Sequence, residues 1–156
     1  MKCAYLTVGI LAGAITTGAI TTGLAQAQTP SQDIIITRQA GFDLQQGAFD
    51  AIDAAVKAHV DVKPFEGAAG GIVSWAKQIP LVFPKGSETG HDTKAKPEIW
   101  SDSAGFAKDA NALAAAAEKL EMLAKADDAS GVADQLKVVD RACVACHRGY
   151  RVRSAN

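Results

Sequence analysis

Apolar residues recur at helical spacing in segments that prolines and glycines separate from one another. In the first segment, residues 33–61, Phe42, Phe49, Ile52 and Val56 follow at intervals of seven, three and four residues. This spacing places them on one face of an amphipathic helix, because 3.6 residues make one helical turn. The pattern therefore predicts a long helix with one side facing a core.

Three further segments have the same helical character. They comprise residues 65–79, a segment that starts near Pro97 or Ser101 and ends near residue 125, and a last one from 132 to 150 or beyond. Residues 80–96 form a loop longer than most connections in a compact domain, which is often a sign of function. Long alanine runs and an aromatic content of only 6% favour helix over sheet. We therefore predict an all-α protein with an antiparallel up-down four-helix bundle.

The composition excludes several function classes. The formal net charge is -1 over 156 residues, whereas nucleic-acid binders are strongly basic. The length suits one domain, and a hydrophobic content of 48% is that of a globular protein.

The first 27 residues differ from the rest and predict a secretory signal peptide. They contain no Asp or Glu, and Ala25 and Ala27 match the small-residue pattern of a cleavage site. Threonines interrupt the apolar run, which argues against a spanning helix, and Cys3 lies away from the cleavage point, which argues against a lipid anchor. We therefore expect export, cleavage after about Ala27, a mature domain over 28–156 and no membrane attachment after cleavage.

The chemistry of the chain is concentrated in Cys143-Val-Ala-Cys146-His147. On a helix, the two thiols share a face and the imidazole lies beside them. Two such thiols can add to the vinyl groups of a haem, whose iron the adjacent histidine then binds. A disulfide, a pair of buried thiols or a redox dithiol are the alternatives. A zinc site would need four ligands, and outside this motif only His59 and His91 are available.

Four stretches, together with the position of the motif at the end of the last helix, resemble the cytochrome c prime family, the class II c-type cytochromes. The resemblance covers residues 31–153, and it implies a four-helix bundle enclosing one covalent haem c. The stretches that carry it are Arg38-Gln39-Ala-Gly-Phe42, Gly86-Ser87-Glu88, Lys96-Pro97-Glu98-Ile99-Trp100 and His147-Arg-Gly-Tyr150-Arg151.

The resemblance also implies roles for single residues. Cys143 and Cys146 would form the thioether links to the haem, and His147 would be the axial iron ligand. Arg151 would lie over this histidine and influence its environment. The residues that the resemblance places around the haem propionates and the pocket rim are Arg38, Gln39, Ser87 and Glu88.

The residue at the sixth iron position decides the function. Low-spin members of the family have a methionine there, at the place of Phe42. Because Phe42 cannot bind iron, the resemblance implies a five-coordinate, high-spin haem that admits small diatomic gases such as nitric oxide and carbon monoxide. His91 in the loop and Met122, for which core filling is the expected role, are the competing ligands.

We therefore expect a periplasmic haem protein that binds diatomic gases and transfers electrons, with a low-spin electron carrier as the alternative. An enzyme is not expected, because a nitric oxide reductase would need a second metal site or a catalytic base, and a thiol oxidoreductase would need strands. The redox partner is unknown from the sequence. Homodimers are common in the resembling family, and the first two helices would allow one here.

Overall fold

The computed structural model describes residues 30–153, and within them the protein is mostly helical. Two short 3-10 helices, Lys63–Phe65 and Ile79–Val82, join longer elements. The α-helices are α1 (Pro30–Lys57), α2 (Glu66–Gln78), α3 (Glu98–Ser101), α4 (Ser103–Lys125) and α5 (Ala129–Tyr150). The long helices α1, α2, α4 and α5 form the predicted four-helix bundle, so the expected fold class is confirmed.

Helix α4 is the centre of the bundle. Helices α2 and α5 pack against it most extensively, whereas α1 packs against α2 and α5 and makes a smaller contact. Alanines cover the inner face of α4, where Ala110, Ala114, Ala117 and Ala124 are all buried. Because alanine side chains are small, the neighbouring helices can approach the α4 backbone closely.

The helix ends differ from the predicted ones for local reasons. Helix α1 ends at Lys57 because His59 adopts a left-handed conformation, with φ of 53°. The Val60 N–H then donates to the Ala55 carbonyl oxygen at 3.1 Å. This hydrogen bond is typical of a helix that ends with a left-handed residue. The predicted continuation to residue 61 is therefore wrong.

Two aspartates set the starts of the last two long helices. The carboxylate of Asp102 accepts from the Gly105 N–H and separates α3 from α4, so the predicted third helix is divided in two. The Asp128 carboxylate accepts from the Gly131 N–H, and α5 therefore begins at Ala129, three residues earlier than predicted. An aspartate at this position satisfies backbone donors that the helix itself leaves free.

The predicted signal peptide, residues 1–27, lies outside the described residues. Within residues 30–153, none of the helices combines the length and the apolar character needed to cross a membrane.

Candidate functional site

The two cysteines of the sequence motif lie one turn apart on α5 and face the interior. Both are free thiols and half-buried, and both pack against the hydrophobic core. His147 follows on the same helix and is exposed. The structure therefore brings the three residues of the motif together at the C-terminal end of α5.

The surroundings keep both thiols protonated. Burial raises the pKa of Cys143, and the negative charge of Asp140 adds to this effect. Burial, followed by the charge of Asp109, raises the pKa of Cys146 to about 11. A dithiol used in redox exchange needs a lowered pKa, because the thiolate is the nucleophile. The site is thus unlike that of a thiol oxidoreductase.

The environment of His147 favours the neutral form of its imidazole. Partial burial lowers its pKa, and the positive charge of Arg151 lowers it further. Arg151 is close because its backbone N–H donates to the His147 carbonyl oxygen at 3.1 Å. A neutral imidazole offers a nitrogen lone pair to a metal ion, which the protonated form does not.

Arg38 is buried, with 2% of its surface exposed, and it is held by the loop after α2. Its Nη1 donates to the Ser87 hydroxyl at 2.8 Å and its Nη2 to the Ser87 carbonyl oxygen at 2.7 Å. Further acceptors are the Thr93 hydroxyl at 3.0 Å and the Val82 carbonyl oxygen at 3.4 Å. The guanidinium also lies 4.2 Å from the centre of the Phe83 ring. A guanidinium has five N–H donors, so most of the hydrogen-bond donors of Arg38 are used to fix this loop.

The neighbouring residue Gln39 holds the same loop at a second point. Its Nε2 donates to the His91 carbonyl oxygen at 2.8 Å. The Glu88 carboxylate accepts from the Gly86 N–H at 3.0 Å and is exposed to solvent. Ser87 is buried. Of the four residues that the resemblance places at the pocket rim, three therefore determine the shape of the loop, and Glu88 lines its outer side.

An open cleft of about 570 Å³ lies beside this loop. In this loop, Gly90, His91 and Asp92 all have positive φ, of 116°, 44° and 52°. This backbone conformation costs free energy for His91 and Asp92, which are not glycine. The residues that line the cleft are Glu88, Thr89, Gly90, His91, Asp92, Thr93, Ala95, Pro97 and Trp100.

Phe42 lies on the inner side of α1, between two other aromatic rings. Its ring centre is 5.6 Å from that of Trp75, edge to face, and 6.4 Å from that of Phe83. Trp75 comes close to α1 because Gly41 has no side chain, and an added Cβ there would collide with the indole ring. Phe42 is therefore fixed in its position from two sides.

The competing iron ligands of the sequence analysis lie in unfavourable places. Met122 is 63% exposed on the surface of α4, so the expected role in the core is wrong. The side chain of His91 is exposed in the loop, whose backbone Gln39 holds. His59 is exposed just beyond the end of α1.

Sequence reasoning assigned no role in the site to several residues around it. Phe83 and Tyr150 both contact Phe106 edge to face, with ring centres 5.1 Å apart in each pair, and Trp75 contacts Phe42. Thr93 accepts from Arg38. Aromatic residues make up only 6% of the chain, and several of them lie together in this region. Their rarity was the one sequence signal that could have drawn attention to them.

Apolar surface next to the cysteines is incompletely covered by the protein. The cavity that adjoins Cys143 and Gln45 measures only about 40 Å³ and is too small for a haem, and within residues 30–153 the buried Gln45 Oε1 and Trp75 Nε1 atoms have no hydrogen-bond partner. Large side chains that pack on the core are still only partly covered. These are Phe42, Phe49, Trp75, Phe83, Trp100 and Tyr150. An apolar group placed against them would remove this surface from water, which is favourable. With two thiols and an imidazole beside it, the site suits haem c.

A four-helix bundle whose last helix presents Cys-x-x-Cys-His to an apolar interior defines a c-type cytochrome of the helical-bundle class. The family profile described as Cytochrome C' matches residues 33–151. The chain therefore belongs to the cytochrome c' family, whose members carry covalently bound haem c.

Relatives support this membership along nearly the whole chain. Cytochrome c' of Rubrivivax gelatinosus is 33% identical over 131 residues, which cover 81% of this chain and 98% of the relative. Cytochrome c' of Rhodopseudomonas palustris is 34% identical over 152 residues, which cover 96% of this chain and 99% of the relative. Cytochrome c-556 of Agrobacterium tumefaciens is 36% identical over 107 residues, which cover 69% of this chain and 84% of the relative.

Solved structures have the same fold. Cytochrome c' from Thermochromatium tepidum superposes with a TM-score of 0.75 at 27% identity, covering 81% of this chain and all of the other. A nitric oxide complex of a variant of cytochrome c prime from Alcaligenes xylosoxidans has a TM-score of 0.72 at 26% identity, with 82% and 100% coverage. A carbon monoxide complex of another variant from the same organism has a TM-score of 0.72 at 26% identity, with 81% and 100% coverage.

Proposed function

We propose that this protein is a periplasmic cytochrome c' that binds diatomic gases at a five-coordinate haem and transfers single electrons. Residues 1–27 would direct export and residues 28–156 would form the mature domain. When bound, haem c supplies an iron atom that changes its charge by one electron and binds small gas molecules. Cys143 and Cys146 would hold it covalently.

The side chains of α5 support the proposed attachment. Cys143 and Cys146 both face the interior one turn apart, which matches the two linkage points of one haem. His147 would bind the iron through its neutral imidazole, and the positive charge of Arg151 favours that neutral form. Arg151 would thus tune the basicity of the iron ligand from a neighbouring turn.

The position of Phe42 is the single observation that carries the gas-binding proposal. Its ring is packed between Trp75 and Phe83, and a phenyl ring offers no lone pair to iron. We propose that Phe42 covers the face opposite His147, excludes water and leaves room for a diatomic ligand. The nitric oxide and carbon monoxide complexes of the Alcaligenes xylosoxidans protein support the same ligands here.

The loop after α2 would form the propionate side of the haem pocket. Arg38 and Gln39 hold this loop through Ser87 and His91. Since most donors of Arg38 are already used, we propose that it acts mainly by shaping the rim and contributes its positive charge to the propionates from a distance. Glu88 lies at the solvent side of the rim.

Homodimer formation through α1 and α2 is also part of the proposal. Leu44 on α1 is 76% exposed, and Gly67 and Gly71 on α2 have open space where a side chain would be. An exposed leucine on one helix and uncovered glycines on the other favour packing of a second copy against these two helices.

The visible spectrum of the reduced protein, with and without carbon monoxide, tests the gas-binding proposal. We expect a broad high-spin spectrum that shifts when the gas is added. In the variant Phe42→Met, a sulfur ligand should give a sharp low-spin spectrum with little response to the gas, whereas Phe42→Leu should behave like the wild type. A sharp spectrum of the wild type that carbon monoxide leaves unchanged would refute the proposal and favour a low-spin electron carrier.

A further inference from the structure

The loop after α2 and the end of α5 are joined by an isolated antiparallel bridge between Ala95 and Arg151. Two backbone hydrogen bonds of 3.0 and 2.8 Å flank the bridge and lay residues 94–96 alongside residues 150–152. The Lys96 ammonium also donates to the Arg148 carbonyl oxygen at 2.9 Å. Two basic segments that are more than 50 residues apart in the sequence thus meet at one place.

This junction gathers five positive charges, which we call the basic patch. Four of the five side chains are exposed and Lys96 is half-buried. Among the ion pairs of residues 30–153, none involves a member of the patch. The basic patch consists of Lys94, Lys96, Arg148, Arg151 and Arg153.

The positive charge is local to this end of the bundle. The whole chain has a formal net charge of -1, and the patch holds five of its 16 Lys and Arg residues. The nearest acidic side chains in sequence are Asp92, two residues before Lys94, and Glu98, two residues after Lys96, and Asp102 lies close because it accepts a hydrogen bond from Tyr150. The patch therefore keeps a net positive charge.

The basic patch adjoins the motif that carries the cofactor. Arg151, a member of the patch, donates its N–H to the His147 carbonyl oxygen at 3.1 Å. Val152 is 47% exposed within the patch, and Gly149 has open space above it. A second protein could approach the α5 backbone closely here, with charged groups around a small apolar contact.

We propose that the basic patch is the docking surface for the redox partner, a protein that presents a carboxylate-rich face. This inference rests on the electron-transfer part of the proposed function. Unpaired exposed cations attract a negatively charged face over a distance and orient it before contact. The patch lies next to His147, so a partner docked on it would sit beside the iron ligand.

Two small redox reagents of opposite charge test the local electrostatic potential at the basic patch. Hexacyanoferrate(III), an anion, and tris(phenanthroline)cobalt(III), a cation, each accept one electron from the reduced protein. We expect the anion to react faster as salt is lowered. The double variant Lys94→Glu/Arg153→Glu should slow this reaction about tenfold at low salt and speed up the reaction of the cation.

A matched variant controls for net charge. Lys63→Glu/Lys119→Glu makes the same charge change on exposed residues, and Lys63 lies at the opposite end of the bundle, where its N–H donates to Asp127. Its rates should remain within twofold of the wild type. Equal effects of both double variants would overturn the proposal, because net charge and not the patch would then control the rate.

Binding to poly-L-glutamate on a biosensor gives a readout that needs no electron transfer. The wild type and the control variant should bind, and Lys94→Glu/Arg153→Glu should not. Stronger binding to phosphatidylglycerol vesicles or to inorganic phosphate would instead identify a lipid or an anion as the occupant and overturn the proposal. The carbon monoxide spectrum of each sample distinguishes failure of the docking proposal from failure of the proposed function. A normal response to the gas, together with electron-transfer rates that the patch variant leaves unaltered, would refute only the docking surface.

Discussion

The hydroxyl of Tyr150 donates a hydrogen bond to the carboxylate of Asp102 at 2.8 Å, although 48 residues separate them. The same carboxylate caps α4 by accepting from the Gly105 N–H. One aspartate therefore starts α4 and anchors the end of α5. This link fixes the turn that follows His147.

The Tyr150–Asp102 link predicts a dependence of stability on alkaline pH. The hydrogen bond to Asp102 raises the pKa of Tyr150 to about 12. Because the folded pKa exceeds the unfolded one, the stabilisation is complete below pH of about 10 and is lost as pH rises through 12. Tyrosinate absorbance measures this directly, since the other tyrosine, Tyr5, lies in the expected signal peptide. Asp102→Asn should move the titration down toward pH 10, and an unchanged titration would disprove the role of the carboxylate.

Replacing Arg38 should loosen the loop after α2. Arg38→Met keeps the apolar stem and removes the hydrogen bonds to Ser87 and Thr93, so we expect a loss of about 3 kcal/mol in the free energy of unfolding by urea. The neighbouring change Gln39→Met removes one partly exposed hydrogen bond and should cost about 1 kcal/mol or less. If both variants lost the same amount, the buried position of Arg38 would have no special importance.

Two glycines on α1 should respond in opposite ways to alanine. In Gly41→Ala the new Cβ collides with the indole of Trp75, and we expect a destabilisation of about 1–3 kcal/mol. Gly47 has open space around it, so Gly47→Ala should stabilise the helix by up to about 1 kcal/mol. Thermal unfolding of both variants measures the difference. A stable Gly41→Ala protein would show that Trp75 can leave its place beside Phe42 at little cost.

The exposed leucine on α1 provides the test of dimer formation. Leu44→Glu should shift the protein from dimer to monomer in analytical ultracentrifugation, because a buried charge without a partner opposes association. Met122→Glu, on the exposed side of α4, should leave the dimer intact. A wild type that sediments as a monomer at all concentrations would rule out the proposed dimer.

The fold was largely predictable because its signals are local. The stripe of Phe42, Phe49 and Ile52 lies on the inner side of α1 as the spacing predicts, and the motif on α5 lies on one helix. The helix ends at His59 and Asp102 were missed because one depends on a left-handed conformation and the other on a capping carboxylate.

Long-range contacts explain what the sequence could not reveal about the site. The burial of Arg38 depends on Ser87 and Thr93, which are 49 and 55 residues away. Without the family resemblance, Arg38 would be interpreted as a surface charge on an amphipathic helix. Met122 shows the opposite error, since a methionine expected to fill the core lies exposed on α4.

The alanine face of α4 limits how this protein can change over evolutionary time. Ala110, Ala114 and Ala117 are buried on α4, the helix against which α2 and α5 pack most extensively, so a larger residue there would have to displace a neighbouring helix. Compensation would then require simultaneous changes on separate helices, which random mutation seldom supplies. Variation is expected to accumulate instead at exposed positions of the long helices, where a larger side chain extends into solvent.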